Sequence, residues 1–301
     1  MPRRAGPSST RWATRSPSAG ATTRESFSVT SAEKLTRWIV TSPPTVFLLA
    51  FFLAPALIVV LASVREPGEF GGLAPWAGVS WQAYRFLTTD FVYAEILMRS
   101  FGVAALTTLA CVVIAYPLAW LIARSPKKRR DLLVLLVILP FASNFLVRIY
   151  AWIMLLGPMG LLYTPTAVIA GMVYVHLPFM VLPLYTNLEK HDPALLEAAQ
   201  DLGANAWTRF WRITFPLSLP GIFSGSALVF IPVLGMFAVP ELLGGTGDIL
   251  IGNLIKEQFL DNRDWPLGSA LSIVLTIAVL ALAGLAAWGA RKGLHGTEAV
   301  T

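Results

Sequence analysis

The sequence predicts an all-α polytopic membrane protein with six membrane-crossing helices. Two observations predict it. Apolar residues make up 55% of the 301 positions and charged residues 13%, roughly half the charged share of an ordinary soluble chain, so a water-facing surface cannot be covered. The charges are also unevenly spread, leaving charge-free stretches of about 20 residues, the length a helix needs to cross about 30 Å of hydrocarbon. In lipid every backbone N–H and C=O must be satisfied within the segment, so these stretches fold as helices.

Residues 1–37 are rich in Ser, Thr, Ala, Pro and Arg and lack an apolar run, so they are expected to form a disordered tail. Their Arg and Ser content resembles an organelle-targeting segment, but Glu25, Glu33 and the missing amphipathic period argue against that reading. The first span covers 38–64 and the second 100–123. The third is charge-free only over 132–147, and residues 149–157 carry the apolar character past Arg148, either extending the helix or forming an interfacial turn; the span is placed over 131–157. The fourth covers 165–187, the fifth 216–240 and the sixth 265–290. Together they define a transmembrane domain over 38–290, followed by a tail over 291–301. Prolines at 55, 117, 140, 178, 183 and 232 lie inside spans, where kinks are expected.

Lys and Arg set the orientation. The N-terminal tail, the segments after spans two and four and the C-terminus hold 17 of them, and the opposite side holds six, which makes both termini cytoplasmic. The net charge of +6 is then a matter of topology. No aromatic platform interleaves with the basic residues, which excludes nucleic acid as a partner. Cys111 is the one cysteine and lies inside a span, so there is no disulfide framework or thiolate metal cluster.

The segment over 188–215 has helix signals of its own. Asp192 is a good N-cap, Pro193 suits the first helical position and Gly203 suits the stop. Leu195, Ala199 and Leu202 make an apolar side, while Glu197, Gln200 and Asp201 face elsewhere. Asn205 can cap a second short helix over 206–213 that mixes Trp207, Phe210 and Trp211 with Arg209 and Arg212. Two short helices joined at a glycine would make a knob on the cytoplasmic face.

The string Glu197-Ala198-Ala199, three residues, Gly203, nine residues, Ile213, one residue, Phe215-Pro216 resembles the EAA motif of ABC importer permeases, with Phe215 where Leu is usual. The resemblance implies the type I ABC importer permease fold. It also implies that 188–215 is a coupling loop docking in a cleft of an ATPase subunit, through Asp192, Glu197, Ala198, Ala199, Asp201, Gly203, Ile213 and Pro216. The likeness extends over about 84–290, through Tyr116-Pro117-Leu118-Ala119-Trp120, Leu139-Pro140-Phe141, Leu146-Val147-Arg148-Ile149-Tyr150-Ala151-Trp152, Leu177-Pro178-Phe179-Met180, Leu250-Ile251-Gly252-Asn253-Leu254-Ile255 and Arg263-Asp264-Trp265-Pro266-Leu267-Gly268. These are similar to permeases of polyamine (spermidine/putrescine) importers. The implied partners are a second permease subunit, two ATPase subunits carrying ATP and Mg, a periplasmic or surface-tethered binding protein and the lipid of a bacterial inner membrane. Between Leu161 and Pro165 the chain runs almost straight into span four, where the family has a longer external segment.

A polycation leaving water needs acidic or aromatic groups along its path. The external side carries nine acids against six bases, although topology alone yields the same asymmetry. Glu241, after Val239-Pro240 at the end of span five, reads either as a pathway carboxylate or as a helix-end group at the headgroup level. Arg148 is expected to pair with an acid such as Glu241 rather than to meet a cationic substrate. Asn144, Tyr150 and Trp152 are pathway candidates, and an interfacial aromatic belt explains Tyr and Trp equally well. His176 is expected to hydrogen-bond between helices. No Gly-Lys dipeptide occurs, hence no phosphate-binding loop, so the chain carries no cofactor of its own and is not the ATPase. The alternative substrate is an amino-acid-derived or opine-like solute. A membrane enzyme or scaffold is the reading from another class, disfavoured because intramembrane His and carboxylates do not cluster.

Overall fold

The computed structural model describes residues 31–75 and 78–295, which divide between Ala54 and Pro55 into two compact units. Residues 1–30 of the expected tail, and 296–301, lie outside the described residues. In the first unit, α1 (Ser31–Leu48) is followed by a π-helical turn over Leu49–Leu53. Residues 31–37 therefore extend the helix rather than joining a tail, because they continue a helix that the apolar span already nucleates. Pro43 supplies no N–H for the Ile39 carbonyl, and Ser42 Oγ reaches that carbonyl at 3.5 Å.

The second unit holds α2 (Ala54–Ser63, starting at the boundary), α3 (Gln82–Thr89), α4 (Phe91–Arg124), α5 (Lys127–Ile138), α6 (Phe145–Leu156), α7 (Pro165–Leu188), α8 (Pro193–Asp201), α9 (Ala206–Arg209), α10 (Phe215–Gly235), α11 (Ala238–Leu243), α12 (Ile251–Leu260) and α13 (Trp265–His295). Among the described residues, five helices are long and apolar enough to cross a membrane, and α5 with α6 makes a sixth if that bent pair is one span. Among the described residues there is no strand, only an isolated bridge between Pro67 and Leu73.

The core is the α4, α7, α10 bundle. Lipid tails are as apolar as leucine, so helices associate here by close packing of small residues rather than by escape from water. Ala104, Cys111, Ala115 and Ala119 bring α4 in, all fully buried. On α10, Gly221 and Gly225 are four apart and lie against α7, where an added Cβ would come within 2.7 Å of Asn187 Cβ and of Met180 Sδ. A second cluster joins α3, α12 and α13 through Ala83, Ile251, Leu254, Leu267, Ala270 and Leu271.

Three expected spans differ in detail. The second begins at Phe91, where Asp90 Oδ1 accepts the Val92 N–H at 3.2 Å, so the helix carries Glu95 and Arg99 on its first turns. The third is not one helix. Pro140 cannot continue the hydrogen-bond ladder, the chain tightens into a 3₁₀ turn over Leu139–Ala142, and α6 leaves at 93° to α5. The fifth ends as a helix at Gly235 and resumes as the short α11. The break is covered by α12, where Asn253 Nδ2 donates to the Phe237 carbonyl at 2.9 Å.

Candidate functional site

The loop between α7 and α10 is built from its caps upward. Asp192 Oδ1 accepts the Ala194 N–H at 2.9 Å and Pro193 opens α8. At the other end Gly203 has φ +81°, its N–H reaches the Gln200 carbonyl at 2.9 Å, and the Ala204 N–H reaches that of Ala199 at 3.0 Å. This paired closure needs a left-handed residue just past the helix, the conformation glycine adopts without a Cβ penalty. The expected apolar side is only partly inward. Leu196 and Ala199 are half-buried, while Leu195 is 49% and Leu202 89% exposed. Glu197, Ala198 and Asp201 are exposed as well.

Asn205 Oδ1 accepts the Thr208 N–H at 2.8 Å and starts α9. The second short helix is not a separate element. It passes through a π-helical turn over Phe210–Thr214 directly into α10, giving one helical run, Ala206–Gly235. Pro216 explains the wide turn, since it has no N–H for the Arg212 carbonyl one turn back. Ile213 and Glu197 line a cavity of about 490 Å³ under the loop, beside the ends of α4 and α7.

Several contacts tie this loop to the bundle. Arg209 donates to Gln200 Oε1 at 2.6 Å, joining α9 to α8, and His191 Nε2 lies 3.2 Å from the Leu217 carbonyl on α10. Arg130 on α5 pairs with Glu189 at the end of α7. Tyr116 on α4 shares a hydrogen bond with Ser218 at 3.1 Å and presents an edge contact to Phe210 at 5.5 Å. Phe210, Trp211 and Phe215 pack on one another in edge and tilted contacts, ring centroids 5.0–6.2 Å apart. The sequence reading missed Tyr116 as an anchor; Phe210 was placed on the short helix after Asn205, and its partner 94 residues earlier is supplied only by the fold.

At the opposite, acid-rich end, Glu241 lies on α11 rather than at the tip of a continuous span. Its Oε1 is 3.0 Å from Lys256 Nζ, which is also 3.4 Å from Asp261 Oδ2. The hydrogen bond from Lys256 to Glu241, with Asp261 behind it, raises the lysine above its usual pKa. Arg99 pairs with Asp248 and donates to the Gly247 carbonyl, and Asp248 Oδ2 accepts the Gly245 N–H at 3.1 Å. A cavity of about 850 Å³ opens here, lined by Tyr163, Glu241, Asp248 and Asn253 among others.

The expected Arg148–Glu241 pair does not form. Arg148 lies 5.9 Å from each of the Phe141 and Phe145 rings, with its Nε buried and unpartnered. The 93° turn carries it into that aromatic setting, and Lys256 from the adjoining α12 takes the carboxylate instead. Lys256 and the Arg99–Asp248 pair were missed as site residues because their partners lie 15 and 149 positions away, beyond any local pattern. None of Asn144, Tyr150 and Trp152 lines the Glu241 cavity. Asn144 caps α6 by accepting the Leu146 N–H at 2.8 Å, Tyr150 is 56% exposed, and Trp152 makes an edge contact with Tyr174 at 5.7 Å. His176 is buried, and its Nδ1 lies 2.8 Å from the Met172 carbonyl on its own helix, so the expected bond between helices is replaced by one within α7.

Comparison with known proteins agrees with this architecture. Residues 115–291 match the family described as binding-protein-dependent transport system inner membrane component. The chain is 47% identical over 223 residues to the spermidine/putrescine transport system permease protein PotB of Escherichia coli (strain K12), covering 68% of this chain and 81% of that protein. PotB of Haemophilus influenzae is 41% identical over 255 residues, covering 78% and 87%. Among solved structures, a bacterial alginate ABC transporter in complex with an alginate pentasaccharide-bound periplasmic protein superposes with a TM-score of 0.63 at 17% identity, over 83% of this chain and 92% of that one. At that identity the match speaks for the fold alone. The chain belongs to the family of binding-protein-dependent transport system inner membrane components.

Proposed function

We propose that this chain is the permease subunit of an ABC importer that takes a polyamine, spermidine or putrescine, from a binding protein and passes it inward by alternating access. Both termini and the loop between α7 and α10 lie in the cytoplasm, a reading supported by the bias of Lys and Arg to that end. A second permease completes the pathway, and two ATPase subunits, which hold ATP and Mg, bind below the pair, one of them gripping the exposed face of α8. The observation that carries the coupling role is the unbroken run Ala206–Gly235. A push on Glu197, Ala198 or Leu202 crosses the turn over 202–205, closed at Gly203 and bridged by Arg209–Gln200, into a helix of the central bundle. At the other end Glu241 and Asp248 are the carboxylates for an amine, and an incoming ammonium competes with Lys256 and Arg99 for them.

The test is uptake of labelled spermidine and putrescine by proteoliposomes holding the assembled transporter, its binding protein and internal ATP. ATP-dependent accumulation of either amine is expected, competed by the other. Accumulation of an amino-acid-derived or opine-like solute with no amine uptake would overturn the substrate assignment while leaving the coupling role intact.

A further inference from the structure

At the Lys/Arg-rich end, α4 leads into a basic run of Arg124, Lys127, Lys128, Arg129 and Arg130. Arg130 is paired with Glu189. Arg124, Lys127, Lys128 and Arg129 are exposed and make no ion pair among the described residues. The Arg124 guanidinium lies over the Trp120 ring, 4.6 Å from its centroid. Both side chains line a cavity of about 610 Å³ together with Arg209, reaching in from α9, and with Tyr116, Leu196 and Phe210 among its other walls. No acidic side chain lines it, while both arginines also border the adjoining cavity of about 490 Å³, whose lining includes Glu189, Asp192 and Glu197.

Toward the middle of α4 the same helix is apolar and open. Val113 is 64%, Ile114 44% and Leu121 53% exposed; Val113 and Ile114 stand seven residues, about two turns, before Trp120 and Leu121, which Arg124 follows at four and three. One side of the helix thus offers a track for a hydrocarbon chain, ending at a cavity with two guanidiniums and aromatic walls. The bias of basic residues to one side of a membrane accounts for their number at this end. It does not account for Arg209 sharing an acid-free cavity with Arg124. Two like charges around one cavity repel, and an anion shared between them offsets that cost through its charge.

We propose that this cavity binds the headgroup of an anionic phospholipid, with its phosphate between Arg124 and Arg209 and an acyl chain along the exposed side of α4. A lipid rather than free phosphate is the occupant because the anion site terminates an apolar track. Leu196 belongs to α8 and Arg209 to the run continuing into α10, so an occupied cavity braces the loop against α4.

The test is native mass spectrometry of the assembled transporter extracted from bilayers of equal parts phosphatidylglycerol and phosphatidylcholine. The wild type should retain phosphatidylglycerol in preference. Arg124→Gln with Arg209→Gln should lower retention by roughly fivefold per charge removed, whereas Arg124→Lys with Arg209→Lys keeps most of it. Lys128→Gln with Arg129→Gln, outside the cavity, should leave it near the wild-type level, and inorganic phosphate in the wash should not displace it. The proposal is overturned by any of four results: no preference in the wild type, an equal loss in the Lys128/Arg129 variant, an equal loss in the lysine variant, or displacement by phosphate. The third would assign the arginines a purely structural role, and the second would make the attraction a diffuse property of the basic run.

Discussion

Gly203 sets how α8 ends and therefore how the loop presents itself. Its φ of +81° lies where a Cβ costs roughly 1–2 kcal/mol, and an added Cβ would meet nothing within 4 Å, so any penalty is one of backbone alone. Gly203→Val should accordingly raise hydrogen exchange at the C-terminal amides of α8 by roughly 5- to 30-fold, while Gly203→Asn, which tolerates the left-handed region, should change it far less. Equal effects from both would show that the turn geometry does not hold the helix end. Lys256 gives a second prediction at this scale. Its pKa is raised by Glu241, so the pair is fully formed below the ordinary lysine value of about 10.4 and is lost only as pH rises through the raised value. The difference in amine-stimulated ATP hydrolysis between wild type and Lys256→Met should therefore stay constant from about pH 7 to about pH 9. A difference that vanishes within that range would show that the pair titrates elsewhere. Residue-level chemistry was legible where it was local: Asp192, Asn205 and Gly203 do what their positions in the sequence announce. It was not legible where it joins distant segments, as when Lys256 rather than Arg148 meets Glu241.

Among the elements, the α7–α10 pair shows how close packing substitutes for hydrophobic burial inside lipid. Gly225 lets Met180 approach so closely that an added Cβ would stand 2.7 Å from its sulfur. Gly225→Leu should lower stability by about 1–3 kcal/mol through overpacking, read as a fall in the thermal midpoint in detergent. An unchanged midpoint would mean that the two helices can separate without loss. The broken third span illustrates a limit of composition as a guide. Residues 131–157 are apolar enough to cross a bilayer, but Pro140 and the Asn144 cap turn them through 93°. A proline inside a long apolar run reads equally as a tolerated kink or as a break, and only the surrounding packing decides. The opposite happens after Asn205, where what reads as a short independent helix merges with the fifth span because a π turn absorbs Pro216.

For the whole molecule, the charge distribution and apolar runs were enough to predict the class, since lipid leaves a chain few alternatives. What they could not supply was the mechanical connection between its two ends. That connection is the three-helix bundle of α4, α7 and α10, anchored on one side by Tyr116–Ser218 and Arg130–Glu189 and on the other by Arg99–Asp248. The proposed coupling therefore expects movement of α8 to reach the level of Glu241 through packed helices. The central claim is that a separate ATPase grips the exposed side of α8. Cys111 is the chain's one cysteine and is fully buried, so Ala198→Cys places a lone accessible thiol on that side. Maleimide labelling of Ala198→Cys in the assembled transporter should be strongly suppressed relative to the isolated permease, and the protection should change when ATP is bound. Equal labelling in both, unaffected by ATP, would contradict the account.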